Sequence, residues 1–509
     1  MNLAFKLTIG VLFTLVTSLF AQNVEVTFGP VLKDPSKTYL SEMLGQWGDE
    51  IYFTRYERGR KGGMYIEIYD SKMNLKSSKP IIKPNDDLTF NNVFLIDGEL
   101  YMFLNYLDKQ NDEVSLLGAP LTRDGNLGNE MVELGKLDAK SRRSTGTFDV
   151  DTSSGSGTKT FLVFESPAYE KRENEKFNFL VYDLNFKLKQ KIVLTLPYLD
   201  KEFSVKDYIL DTKGNIHLLA SVELKSEEKE RGKSDYEYRV LSYFTANDEL
   251  KEYEIDMGQD YLSEIKMKVN TAGDLLLSGF YSDRGFNGMK GVFFVKIGVK
   301  DQKVLSKTVT EFSKEFLELF MSERRAEKGK ELSNYYVDKI IPKEGGGIIM
   351  VSEYYRYYQN CYTDANGNTR CTNHYNYDDI VVVNFDVDGE VIWWTKVPKR
   401  QHTVNDGGYM SGYAMAVAGD KLFFIFNDHV ANLNVTDPLK YKNMSSPKKA
   451  VTTLVTLSEK GEMTRSILFN TKENKCIMRP KFHLQSSESE LLMYADRFSS
   501  YMLARIKFE

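Results

Sequence analysis

Polar and apolar positions alternate along this chain in short runs, nearly all closed by a turn signal, which is the pattern of half-buried strands. The runs fall into groups of four. The first group reads Leu40 to Gly48, Glu50 to Tyr56, Met64 to Tyr69 and Leu75 to Ile82, with Gly48-Asp49 and Lys72-Met73-Asn74 at two of its turns. A second runs from Phe90 to Leu137, turning at Asp97-Gly98 and Asp124-Gly125, and a third from Thr147 to Pro197, turning at Gly155-Ser156-Gly157 and Asn185-Phe186. The fourth (Ser204 to Ile255) and fifth (Ser263 to Thr310) carry matching first turns, Thr212-Lys213-Gly214-Asn215 and Thr271-Ala272-Gly273-Asp274. The sixth spans Tyr335 to Pro398 and the seventh Gly412 to Asn470; the last opens at Cys476 and supplies only three runs before Glu509.

Val24-Glu25-Val26-Thr27-Phe28 is an alternating run without a group of its own, and it supplies the missing fourth strand. Four-stranded sheets repeated radially, with the first and last segments paired to close the ring, predict an all-β fold: a β-propeller of eight four-stranded blades. Seven is the alternative count, because the third group opens on a weak run and the seventh holds a long insertion. A pair of β-sandwiches follows instead if the runs pair between groups. One segment breaks the pattern. From Ser313 to Leu332, the residues Phe312, Phe316, Leu319 and Phe320 recur at helical spacing, predicting a helix that packs its apolar stripe on the ring.

Strand direction alternates, so the links between first and second strands and between third and fourth strands share one face. These are tight turns such as Asp97-Gly98, Gly419-Asp420, Asp388-Gly389 and Lys460-Gly461. The remaining links emerge opposite and are long: Lys225 to Asp235, Tyr354 to Asp378, Asp428 to Lys449, the segment from Ser313, and the connector Lys399 to Ser411. Insertions gathered on one rim mark the expected binding surface.

Two of these links hold the candidate binding residues. The long hairpin insertion near 354–378 carries Tyr355, Arg356, Tyr357 and Tyr358, flat amphipathic side chains suited to sugars or to protein, although the same tyrosines stiffen a hairpin by pairing across its strands. Asn366-Gly367 forms its tip and brings Cys361 opposite Cys371, predicting a disulfide if the chain is exported and two free thiols if it is not. In the connector, Arg400 is a potential anion clamp beside His402, and Asn427-Asp428-His429 ends a strand on the same rim, so that the five line a pocket mouth. Hydrogen bonds tying neighbouring blades together need the same residue types.

Composition narrows the function classes. Aromatics make up 13% of the chain, with 31 Tyr and 31 Phe against 3 Trp and only 12 Pro, in keeping with strands. With 42% hydrophobic and 27% charged among 509 residues, a sizeable core forms and disorder is excluded. The 67 basic and 72 acidic residues are spread evenly, giving a net charge of −5 and none of the basic footprint that nucleic acid demands. Lys6 followed by the apolar stretch Leu7 to Phe20, ending at Ala21-Gln22, predicts a signal peptide over 1–21. That leaves 22–509 as a single propeller domain without a membrane span, secreted or periplasmic. An uncleaved anchor needs a longer stretch, about 20 apolar residues.

No built chemistry is legible. The five histidines, His217, His374, His402, His429 and His483, lack metal-pair spacing. Asp364-Ala365-Asn366-Gly367-Asn368 and Asp386-Val387-Asp388-Gly389-Glu390 open like calcium loops, but Tyr375 and Val397 stand where the closing acid belongs. Nucleophile elbow, phosphate loop and dinucleotide fingerprint are missing from the sequence, so no catalytic residue, cofactor or metal is predicted. Cys476, in Cys476-Ile477-Met478, reads as a buried small hydrophobe.

The segment Val381 to Trp394, a strand, an Asp388-Gly389 turn and a strand ending in Trp393-Trp394, resembles quinoprotein-like secreted propeller repeats. Only Trp47 joins those two tryptophans, so the one-Trp-per-blade pattern of such families and their quinone cofactor are not carried over. The Phe20-Ala21-Gln22 end of the leader and the Tyr-, Lys- and Asn-rich strands resemble uncharacterised secreted propellers of Bacteroidetes-type bacteria, which implies a fold and an export route. The expectation is a secreted, non-enzymatic propeller that binds a glycan, peptide or protein through its long-loop face. The alternatives are a glycan-active hydrolase or lyase in the axial funnel, using Glu353, His402 and His429, and a structural component of the cell envelope.

Overall fold

The computed structural model describes residues 24–508 except 60–61, 84–86, 128–130, 142–143, 153–158, 228, 230–233, 259, 286 and 498. The expected leader over 1–21 and the turn at 155–157 lie outside the described residues.

Eight antiparallel sheets of four or five strands follow one another along the chain, seven taking their strands in sequence order and the last adding a strand from near the amino terminus. Blade 1 comprises Thr38–Trp47, Glu50–Glu57, Met64–Tyr69 and Leu75–Ile82. Blades 2 to 5 begin at Leu88–Ile96, Thr147–Thr152, Phe203–Leu210 and Tyr261–Val269. Blade 6 comprises Tyr335–Pro342, Ile348–Thr363, Thr369–Phe385 and Val391–Val404. Blade 7 begins at Ala414–Ala418 and blade 8 at Ile477–Ser487. The first strands of six of the eight neighbouring blade pairs adjoin one another, including those of blades 8 and 1, so they ring an axis. Burial grades outward as this arrangement requires. The second strand of blade 5 is buried throughout, whereas its fourth, Lys303–Glu311, alternates half-buried and exposed positions.

The core is a ring of apolar layers between neighbouring blades, because each sheet has two apolar faces and solvent meets only its outer strand and ends. Phe53 and Tyr69 of blade 1 pack on Phe482 and Tyr494 of blade 8, while Tyr52 and Ile66 on the other face of blade 1 pack on Leu100 and Met102 of blade 2. Equivalent layers join every later pair. Cys476 is wholly buried in the layer between blades 7 and 8, where burial pushes its thiol up to about 11.

Closure follows the expected route. Val24–Phe28 pairs antiparallel with Tyr501–Phe508, from Val24 opposite Phe508 to Phe28 opposite Ala504, and completes blade 8. Val24, Val26 and Phe28 face the layer shared with blade 7. At the junction with blade 1, the buried Arg55 donates to Glu67 at 2.7 Å, to Asp34 at 2.6 Å and to the Tyr501 hydroxyl at 2.9 Å.

Two expectations are corrected. Residues 313–332 form two short helices, Lys314–Glu318 and Glu323–Ala326, not one. Phe316, Leu317, Met321 and Ala326 all enter the blade 5–6 layer; in one straight helix Ala326 would face away from the other three, and Ser322 in an extended conformation lets the chain turn back. The connector is not a loop from Lys399: the fourth strand of blade 6 continues to Val404, hydrogen-bonded to the hairpin as far as His374.

Candidate functional site

Three strands of blade 6 overrun the sheet on the long-link face and form a ribbon. Cys361 lies opposite Cys371 in register and is disulfide-bonded to it, and Asp364 accepts from the Asn366 and Asn368 amides to fix the tip. Because the side chains of a strand alternate, the ribbon has two different faces. On one, Tyr355 pairs with Tyr377 (ring centroids 4.6 Å apart) and Tyr357 with Tyr375 (5.3 Å), and Tyr336 of the first strand extends this ladder to Tyr355 at 6.2 Å. On the other, Arg356, Tyr358, His374 and His402 stack in succession at 5.1, 4.6 and 5.2 Å, with the two imidazoles 3.0 Å apart, Nδ1 of His374 to Nε2 of His402.

The tyrosine face runs down into a cavity of about 370 Å³ lined by Tyr336, Asp338, Lys339, Glu353, Tyr355, Tyr377, Tyr413, Lys481 and His483. This is within the range of small-molecule sites, about 300–1,000 Å³. Its walls are the first strands of blades 6 and 8, with Tyr413 entering blade 7 between them. Asp338 and Lys339 are consecutive, and in a regular strand would point to opposite faces. A bulge between Val337 and Lys339 lets both line the cavity. Lys481 and His483 come from the irregular stretch of the first strand of blade 8 that follows Arg479. The other wall closes through Gly408, whose φ of +69° and contact with Tyr377 leave no room for a side chain: a Cβ there falls 2.5 Å from the ring.

Charges in the cavity are reached by water yet walled in by protein, and burial dominates their titration. Glu353 is raised by burial against the opposing pull of Lys399, whose wholly buried ammonium donates to Glu353 Oε1 (2.7 Å), the Tyr377 carbonyl (2.9 Å) and Gln401 Oε1 (3.2 Å). Asp338 is likewise raised by burial and accepts from the Tyr413 hydroxyl at 2.7 Å. The Lys481 ammonium sits 3.6 Å from the Tyr377 ring centroid, and burial brings its pKa down to about 8. His483 is pushed down to about 4, again by burial. Its Nδ1 lies 2.6 Å from the Pro480 carbonyl and must donate there, so the neutral ring offers Nε2 as an acceptor.

Of the residues singled out from sequence, Tyr355 lines this cavity and Tyr357 continues the ladder above it, nearly half exposed. Arg356, Tyr358 and His402 occupy the ribbon's opposite face. Of the four others, Asn427 and Asp428 are buried, and Arg400 and His429 are half-buried. Arg400 donates to the Tyr441 carbonyl, and Asn427 donates to the Met410 and Met478 carbonyls. Asp428 is ion-paired with Arg465 and accepts from Asn432, and His429 accepts from the Ala431 amide. The reason is that buried polar groups require partners: Arg400 ties the 428–449 insertion to blade 6, and Asn427 ties blade 7 to blade 8. Glu353, His402 and His429 do not converge.

Sequence reasoning missed Asp338, Lys339, Tyr413, Lys481 and His483. A signal existed for the first pair. Adjacent polar residues interrupt the alternation at Ser41-Glu42, Asn91-Asn92, Lys206-Asp207, Ser263-Glu264 and Asp338-Lys339, and each sits at a bulge in the first strand of its blade. A second, larger cavity of about 570 Å³ lies on the tight-turn face between blades 1 and 2, lined by Trp47, Lys76 and Arg123 among others. Trp47 there is packed on Gly98 of blade 2, which is the work of a blade junction, and Lys76 is ion-paired with Glu50 within blade 1. Among the described residues no group of three or more His, Cys, Asp or Glu is placed to hold a metal, and no helix is long and apolar enough to cross a membrane.

No protein-family model and no curated protein matches the sequence. Similar solved structures include the WD40 domain of SCAP from fission yeast, 12% identical, covering 96% of this chain and 98% of that one at a TM-score of 0.38. The β-propeller domain of the Trilobed protease from Pyrococcus furiosus is 9% identical, with coverages of 84% and 98% and a TM-score of 0.37. The polysaccharide lyase Uly1 is 9% identical, with coverages of 92% and 90% and a TM-score of 0.34. The fold itself rests on the eight sequential sheets and their closure: the chain is a β-propeller.

Proposed function

We propose that the protein is an exported propeller that binds a glycan chain through its long-link face, without turnover. One observation carries this reading: the strip of tyrosines Tyr357, Tyr375, Tyr355, Tyr377 and Tyr336 that leads along the ribbon into a cavity furnished with Asp338, Lys339, Lys481 and His483. Sugar rings stack their C–H faces on aromatic faces and direct their hydroxyls to charged and amide groups, so an extended strip ending in a polar pocket suits a chain better than a single small molecule. The apolar leader read from residues 1–21 and the Cys361–Cys371 disulfide support an extracellular or periplasmic location.

The test is a glycan-binding screen with chain beginning at Gln22, followed by calorimetry on any hit with Tyr355→Ala. Loss of one stacking platform is expected to weaken binding about tenfold, or ~1.4 kcal/mol. Binding of unstructured peptides in place of glycans, or unchanged affinity in Tyr355→Ala, refutes the reading. A glycan-active enzyme is the second reading, favoured by the shifted Glu353 and Lys481 in one cavity, since such shifts cluster at functional sites. New chain ends appearing on incubation with the bound glycan decide for it.

A further inference from the structure

We propose that the glycan carries an anionic substituent, a carboxylate or a sulfate ester, and that Lys481 and Lys339 receive it at the base of the tyrosine strip. This rests on the glycan-binding reading and narrows it to acidic polysaccharides.

Glu353 is ion-paired with the Lys399 ammonium, while Asp338 accepts from the Tyr413 hydroxyl and Asp406 from the Thr403 hydroxyl at 2.6 Å and the Gly408 amide at 2.9 Å, all neutral donors. Lys399 is consumed by its own contacts. Lys339 and Lys481, by contrast, reach the same cavity from blades 6 and 8 and form no ion pair with any carboxylate among the described residues. Asp338, Glu353 and Asp406 act on Lys481, and Asp338 on Lys339, only from beyond ion-pair distance, and burial still lowers the pKa of both. An anion in direct contact with them offsets that cost.

The rest of the lining fits a sugar that bears the anion. Tyr355 offers a ring face, and the Lys481 ammonium, seated over the buried Tyr377 ring, places charge beside it. The free Nε2 of the neutral His483 accepts from a hydroxyl. The balance at Lys481 is set from every side. Glu353, Tyr377 and Lys399 face it from the second, third and fourth strands of blade 6, Asp338 from the first, and Asp406 from the connector.

Titration calorimetry with three probes tests the proposal: an oligogalacturonate for the carboxylate, a sulfated dextran oligosaccharide for the sulfate, and a maltooligosaccharide as neutral reference. At least one acidic probe is expected to bind tenfold or more tightly than the neutral one, with affinity falling as salt rises. Which acidic probe wins identifies the substituent. Lys481→Met, checked for an unchanged melting temperature, is expected to erase that preference, and Lys339→Met to reduce it. Wild type is expected to lose acidic-probe affinity as pH rises from 7 to 10, because Lys481 releases its proton. Lys481→Arg, which stays charged, is expected to keep it. Equal affinity for neutral and acidic probes, or a preference that survives in both methionine variants, overturns the proposal while leaving glycan binding intact. Failure of every saccharide to bind sinks the underlying reading instead.

Discussion

Removing the Lys399 ammonium isolates the energetics beneath the cavity. Lys399→Met leaves Glu353, about nine-tenths buried, without its ion-pair partner, and loss of one member of a buried pair costs about 3–5 kcal/mol. Unfolding entropy near 2 cal/mol/K per residue makes one degree worth roughly 1 kcal/mol for a chain of this size, so the melting temperature is expected to fall by roughly 3–5 °C at pH 7. The deficit depends on pH with a definite sign. Burial already raises Glu353 in the wild type, and without Lys399 it rises further. The folded variant then holds a proton that the unfolded chain, with an ordinary value of about 4.3, has released at neutral pH. The stability from that proton is fully present below the unfolded value and is lost as pH rises through the folded one. Thermal unfolding followed by intrinsic fluorescence should therefore show the deficit largest at pH 7 and smaller at pH 5. Adding Glu353→Gln to Lys399→Met should recover most of the loss. A deficit that is flat with pH and unrelieved in the double variant would refute the assignment of a buried, mutually dependent pair.

Two further outcomes follow from the ribbon and the ring closure. Replacing Cys361 and Cys371 by serine relaxes a loop whose closure is worth about 3 kcal/mol, but the tip stands clear of the core, so amide exchange near 356–376 should quicken roughly tenfold or more with the global melting temperature moving by less than about 1 °C. Deleting 24–28 strips the outer strand of blade 8 and the half-buried Val24, Val26 and Phe28, at about 1 kcal/mol each; melting should drop by roughly 3 °C or more, and proteolysis near Tyr501–Phe508 should accelerate.

The ring was legible because its instructions are local. Each quartet of runs, from Leu40 to Ile82 through to the three runs after Cys476, became one sheet, and the solitary Val24–Phe28 found the vacant edge of blade 8. Asn366-Gly367 and the paired cysteines likewise specify the ribbon tip within a few residues. The helical reading of 313–332 failed where local periodicity met a tertiary demand, namely that Ala326 enter the same blade 5–6 layer as Phe316 and Met321.

Side-chain partnership was legible only in part. Arg400, Asn427 and Asp428 have the chemistry of a binding site, and nothing in their order along the chain reveals that carbonyls of residues 17 to 51 positions away, together with Arg465, consume it. Alternation of apolar and polar residues, read with turn signals, determined by itself the strands, their grouping, the closure and the face that bears the insertions, since each depends on neighbours in sequence. Only the tertiary structure decided that Asp338, Glu353, Tyr413 and Lys481 share one cavity, because it brings together strands from blades 6, 7 and 8 and turns two bulged segments toward the axis. A charge's role depends on what stands within a few ångströms of it, and in a ring those neighbours come from distant parts of the chain.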